Sequence, residues 1–96
     1  MPEIENRLYI YMLSYDLTEE SDYSRLLKEL RRIEAKPILK SQWLFHCSNT
    51  PPELKKHFRS FIDDRCRFMI CRISIDLSET AVYNFKIPES IGRLWV

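Results

Sequence analysis

Chemistry-bearing residues are sparse in this chain, and the first that a fold would hold firmly is Asp16. It follows the run L-Y-I-Y-M-L-S-Y that begins at Leu8 and precedes the polar segment Thr18 to Asp22. In a strand, Leu8, Ile10 and Met12 point one way and Tyr9, Tyr11 and Leu13 the other. β-branched and aromatic residues suit such a pleat, and both faces are apolar or aromatic, which predicts a central strand covered on both sides. Asp16 is then a carboxylate at a strand tip, held more firmly than a loop would hold it. The plainer alternative is that Asp16 caps a turn or the following helix.

The other reactive types are scattered. Cys47, Cys66 and Cys71 are odd in number and form no C-x-x-C pair, which predicts small apolar fillers in a reducing compartment. His46 and Cys47 are strand neighbours and face opposite ways, which argues against zinc. His57, among Lys56, Phe58 and Arg59, reads as surface; neither it nor His46 has a partner in the sequence that suggests catalysis. Arg25, Lys28 and Arg32 recur at spacings of three and four, and Lys36 and Lys40 follow. They form either a basic flank that meets phosphates or a solvated face paired with Glu29 and Glu34. The formal net charge of +1 excludes an overall basic signature but not a local patch. Trp43 reads as core or interface, with stacking on a base as the alternative.

The elements that must position these residues follow from periodicity. Ser21 to Ala35 reads as a helix capped by Thr18 or Ser21, with acids in its first turn and a buried stripe of Leu26, Leu27, Leu30 and Ile33. Pro37 should end it. Lys36 to Cys47 reads as two short strands meeting near Lys40 to Gln42, or one strand with a bulge there, and Ser41 can bond the backbone at that point. Thr50-Pro51-Pro52-Glu53 is a capping box with proline at the first helical position. The helix it opens should reach about Ile62 and bury Leu54, Phe58, Phe61 and Ile62. Asp63-Asp64-Arg65 turns the chain. Arg67 to Ile75 reads as a strand with Phe68 and Ile70 on one face and Met69, Cys71 and Ile73 on the other.

The order strand, helix, strand, strand, helix, strand predicts an α+β domain over residues 1–75. It fits a ferredoxin-like split β-α-β sandwich (βαββαβ) with both helices on one face of an antiparallel sheet. The tail, 76–96, holds a short extra strand candidate, Ala81 to Phe85. The sheet face left free is expected to carry Tyr9, Tyr11 and Leu13. An apolar face that rich predicts a two-fold homodimer, with the tail crossing to extend the mate's sheet. No apolar run approaches the roughly 20 residues of a membrane span, and the acidic start M-P-E-I-E-N lacks the features of a signal peptide. A cytoplasmic protein is expected.

S-Y-D-L at residues 14–17, K-S-Q-W-L-F at 40–45 and D-D-R-C-R-F-M-I-C-R-I at 63–73, in this order around two helices, resemble the small CRISPR-associated endonuclease family. Its members are the lesser partner of the spacer-acquisition integrase. Stand-alone relatives and the virulence-associated D ribonucleases look similar. The resemblance covers roughly Leu8 to Ile75. It implies a metal-associated aspartate at Asp16 preceded by its usual aromatic at Tyr15, a turn serine at Ser41, and an aromatic at Trp43. The basic residue usual before that serine falls on Pro37, where this chain departs, with Lys36 or Lys40 as substitutes; Arg25 alone represents the basic residues usual early in the first helix.

What the resemblance implies is metal-dependent cleavage of RNA or DNA. Magnesium suits it, since that ion takes few carboxylates and keeps several waters. One aspartate per chain is thin, and a two-fold dimer would bring Asp16 and its mate to one cleft, with Tyr15 or Ser14 orienting water or phosphate. Two other readings stand beside it: a non-catalytic nucleic-acid-binding scaffold of a spacer-acquisition complex, and a toxin-like ribonuclease acting alone. No base-reading motif separates RNA from DNA.

Overall fold

The computed structural model describes residues 8–16, 18, 21–73 and 81–83. The elements in order are β1 (Tyr9–Tyr15), α1 (Ser24–Arg32), β2 (Lys36–Leu39), β3 (Gln42–Cys47), α2 (Pro51–Arg59) and β4 (Phe68–Ile73). The strands form one four-stranded sheet in the order β2-β3-β1-β4, and every pairing is antiparallel. β1 is therefore a central strand, as its two apolar faces predict. The segment after α1 is two strands meeting at Lys40 and Ser41, and the β2–β3 ladder also shifts register between Pro37 and Leu39. Of the tail, only 81–83 fall among the described residues; they are exposed and carry no strand. The rest of the tail and its crossing lie outside the described residues. No helix among the described residues is long and apolar enough to cross a membrane.

Both helices pack on one face of the sheet, and that face is the one expected to be free. Tyr11, Leu13 and Tyr15 of β1 lie under Leu26 and Leu30 of α1 and Leu54 and Phe58 of α2, with Trp43, Phe45 and Cys66 in the same cluster. Tyr11 and Leu30 are fully buried. Cross-strand register explains the choice. Tyr11 sits opposite Phe45 and Leu13 opposite Trp43, while Leu13 and Tyr15 sit opposite Ile70 and Phe68. Partners in register share a face, so the bulkiest side chains of three strands collect on one side and fill the gap beneath the helices. The face without helices carries Ile10 and Leu44, with Met12, Ile38 and Ile73 packed against them. The dimer surface expected at Tyr9, Tyr11 and Leu13 is thus corrected: Tyr11 and Leu13 are core, and Tyr9 packs against it.

One inward position of β4 is not apolar. Arg72 lies opposite Tyr11. Its guanidinium stacks 3.7 Å over the Tyr9 ring and donates to the Tyr11 hydroxyl at 3.0 Å. That hydroxyl donates in turn to the Asn49 carbonyl at 2.6 Å, so a fully buried phenol keeps its bonds. Cys66 joins the core as a filler, whereas Cys71 is exposed, against expectation.

The helix ends differ in how legible they are. The Thr50–Glu53 capping box forms as expected, with proline at the start of α2. α1 has no side-chain cap from Thr18 or Ser21: its N-cap is Tyr23. Ser21 Oγ donates instead to Asp63 Oδ1 at 3.2 Å, and Asp22 Oδ1 accepts from the Ser24 amide at 2.9 Å. α1 also stops before the expected Ala35. Glu34 takes a left-handed conformation, φ 61°. The Glu34 amide donates to the Arg31 carbonyl and the Ala35 amide to the Leu30 carbonyl. That is a Schellman ending, which usually carries glycine at the left-handed position.

A chain whose one glycine is Gly92 has placed a carboxylate side chain in a strained conformation beside the negative end of a helix. Glu34→Gly should therefore raise stability by roughly 0.5–1 kcal/mol, a rise of about 4 °C in Tm for a domain this size, measured by thermal unfolding.

Candidate functional site

The tip of β1 is clamped on both sides by backbone bonds. The Tyr15 amide donates to the Ser41 carbonyl and the Asp16 amide to the Arg67 carbonyl, each at 3.0 Å. The first ties β1 to the β2–β3 turn, and the second extends the β1–β4 ladder by one residue. Strand alternation then sends the two side chains apart. Tyr15 turns into the core, where its hydroxyl accepts from Trp43 Nε1 at 3.3 Å and donates to the Lys40 carbonyl at 3.4 Å. Burial pushes its phenol pKa up. Asp16 stays about half exposed and pairs with Arg67, Oδ2 to Nε, at 2.7 Å. The Asp16 carbonyl is held separately, by the Tyr23 hydroxyl.

Ser14, Tyr15, Asp16, Ser41, Gln42, Arg67, Phe68 and Met69 together line a concavity of about 370 Å³. Ser14 lies opposite Gln42 on β3 and Met69 on β4. Its Oγ is enclosed and has no hydrogen-bond partner among the described residues. The sequence candidates Asp16, Tyr15 and Ser41 thus meet in one place. Tyr15 does so with its hydroxyl spent in the core. Trp43 is core as well.

The five basic candidates do not line that concavity. Arg25 donates to the Ser60 carbonyl at 3.0 Å and lies over the Phe61 ring. Arg32 is spent on Glu29. Lys28 and Lys40 are exposed, and Lys36 is half-buried. Arg67 is the cation at the site, and sequence reading gave it no role. Phe68 and Ile70 facing inward set Arg67 outward beside Met69, but its meeting with Asp16 needs the β1–β4 register.

A second polar group lies between the helices. Among the described residues, Glu29, 5% exposed, is the one charged residue in the buried set. Arg32 Nε and a terminal nitrogen each donate to its carboxylate at 2.6 Å, and His57 Nε2 of α2 lies 2.5 Å from Oε2. His57 therefore has an acidic partner, contrary to its reading as isolated. The signal was present: Glu29 sits three residues after Leu26 and four before Ile33, inside the apolar stripe. Arg32, His57, Cys47 and Lys56 border a cavity of about 510 Å³ beside this group. Burial raises the pKa of the Cys47 thiol there, which favours an inert thiol over a nucleophile.

A comparison with protein-family models finds no match for the chain, and no solved structure matches it.

The Glu29 link makes a pH-dependent contribution to stability. The Arg32 hydrogen bonds, ahead of the opposing effect of burial, hold the Glu29 carboxyl at about 2, below its ordinary 4.5. A depressed folded-state value stabilises above the unfolded value and is lost as pH falls through the folded one. Glu29→Gln should lower stability at pH 7 by on the order of 1–3 kcal/mol. In paired denaturant titrations, the gap to the parent should stay level down to about pH 5 and close as pH falls toward 2.

Proposed function

We propose that this chain is a ferredoxin-like protein of the small CRISPR-associated endonuclease type: a cytoplasmic homodimer that cleaves phosphodiester bonds of RNA or DNA with magnesium. The observation that carries the reading is the place of Asp16. A strand tip bonded to the backbone on both sides holds its carboxylate on the helix-free side of the sheet, in a concavity that also contains Ser14, Ser41 and Gln42. The strand order β2-β3-β1-β4 with two helices on one face supports the ferredoxin-like architecture.

The donor set is hard oxygen, which suits magnesium, and among the described residues Asp16 is the sole carboxylate lining the concavity. In this reading a second copy supplies the second carboxylate. The helix-free face would offer the contact through the half-buried Met12, Ile38 and Ile73, with Asp16 at its rim. Magnesium bound there would place positive charge on the phosphate and make a bound water more acidic. Asp16 would hold the ion, and the Ser41 and Gln42 side chains would orient water or a phosphate oxygen. Tyr15 would serve by fixing the strand tip from the core side.

The non-catalytic scaffold is the second reading, and one observation favours it. Asp16 already has a cationic partner in Arg67. In that reading the same dimer binds duplex DNA or an integrase without cutting.

Asp16→Ala should reduce magnesium-dependent cleavage of labelled RNA and DNA at least 100-fold with Tm unchanged within a few degrees; cleavage at the parent rate would remove Asp16 from the reaction. Met12→Lys on the helix-free face should convert a dimer to a monomer by light scattering, with circular dichroism checking the fold. A parent protein that is already monomeric would count against the paired-acid site.

A further inference from the structure

We propose that the concavity at the tip of β1 is a phosphate-binding site in which Arg67 is the anchoring cation and Asp16 competes for it. The guanidinium commits Nε alone to Asp16. Its two terminal nitrogens have no partner among the described residues, and the side chain is 87% exposed. A planar fork with free donors is the arrangement that takes a phosphate through two parallel bonds. The wall across from it is polar, formed by Ser41 and Gln42.

Charge decides when the site is open. Among the described residues, Asp16 and Arg67 are the only charged ones lining the concavity, so paired they cancel and an anion gains little there. Whatever draws the Asp16 carboxylate away leaves Arg67 uncompensated and the concavity positive. A divalent cation on Asp16 would do so. The phosphate ligand is then a phosphodiester of a nucleic-acid backbone. That last step, and it alone, rests on the nuclease-like reading above; Arg67 as an anion anchor does not need it.

The test is calorimetric titration of the full chain in EDTA, with dimethyl phosphate as the diester probe and inorganic phosphate as the free-phosphate probe. Asp16→Asn should tighten binding of dimethyl phosphate at least tenfold over the parent. Arg67→Gln added to Asp16→Asn should abolish the gain, and Arg67→Lys added to it should keep part. Unchanged affinity in Asp16→Asn, or a gain that survives the added Arg67→Gln, would overturn the proposal. Binding of inorganic phosphate alone would overturn the assignment to a nucleic-acid backbone. With no divalent ion present, these results do not depend on magnesium. A separate magnesium titration of the parent that shows no binding would instead overturn the metal role of Asp16 and leave the phosphate results standing.

Discussion

The arrangement at the strand tip depends on two backbone hydrogen bonds, Tyr15 to Ser41 and Asp16 to Arg67. Together they hold the last residue of β1 and the one after it against different neighbours. Because both amides are fixed, the alternation of side chains is carried past the last formal residue of the strand. Tyr15 enters the core, and Asp16 is delivered to the opposite side. The two placements are therefore one event. The Trp43 indole on the Tyr15 hydroxyl helps hold the carboxylate in place although it touches no atom of it.

The two helices reach the same end from other constraints. α2 starts at a complete capping box, whose reciprocal bonds satisfy orphan amides at its first turn. α1 lacks such a start and is defined by its end, where the left-handed Glu34 turns the chain and lets Ala35 pack into the core. The Glu29 carboxylate then joins α1 to α2 through His57. Carboxylates are rarely this buried unless paired, and here Arg32 and His57 between them engage both oxygens.

What could be read from the residues was local. The Thr50–Glu53 box, the break near Ser41 and the alternation of Phe68 and Ile70 each depend on neighbours within a few positions, and each is present. What could not be read was relative. Alternation in β1 is symmetric when Ile10 and Met12 are as apolar as Tyr11 and Leu13, so it cannot say which face meets the helices. That choice is made by Phe45, Trp43, Phe68 and Ile70, which share a face with Tyr11, Leu13 and Tyr15 only once the register is set. The same limit hid Arg67 from Asp16, 51 residues away, and His57 from Glu29, 28 residues away. The missing cap on α1 has a different cause. Ser21 had the right chemistry for it but was drawn into a tertiary bond with Asp63.

Two of the acid–arginine pairs, Glu29–Arg32 and Asp16–Arg67, make the functional contrast plain. Arg32 grips Glu29 with two donors, and Glu29 is almost wholly buried. Exchanging that partner would strand a carboxylate away from water, so the pair is structural. Arg67 touches Asp16 with one nitrogen, and both side chains remain open to solvent. Pairs of that kind contribute about 1 kcal/mol or less and are screened by salt. Either partner can therefore leave at little cost if a better one arrives. The strand tip holds Asp16 in position through the backbone, not through this ion pair, so exchanging Arg67 for another partner leaves the fold untouched. A carboxylate positioned rigidly but partnered loosely is what an exchangeable site requires, and of the two pairs only Asp16–Arg67 has both properties.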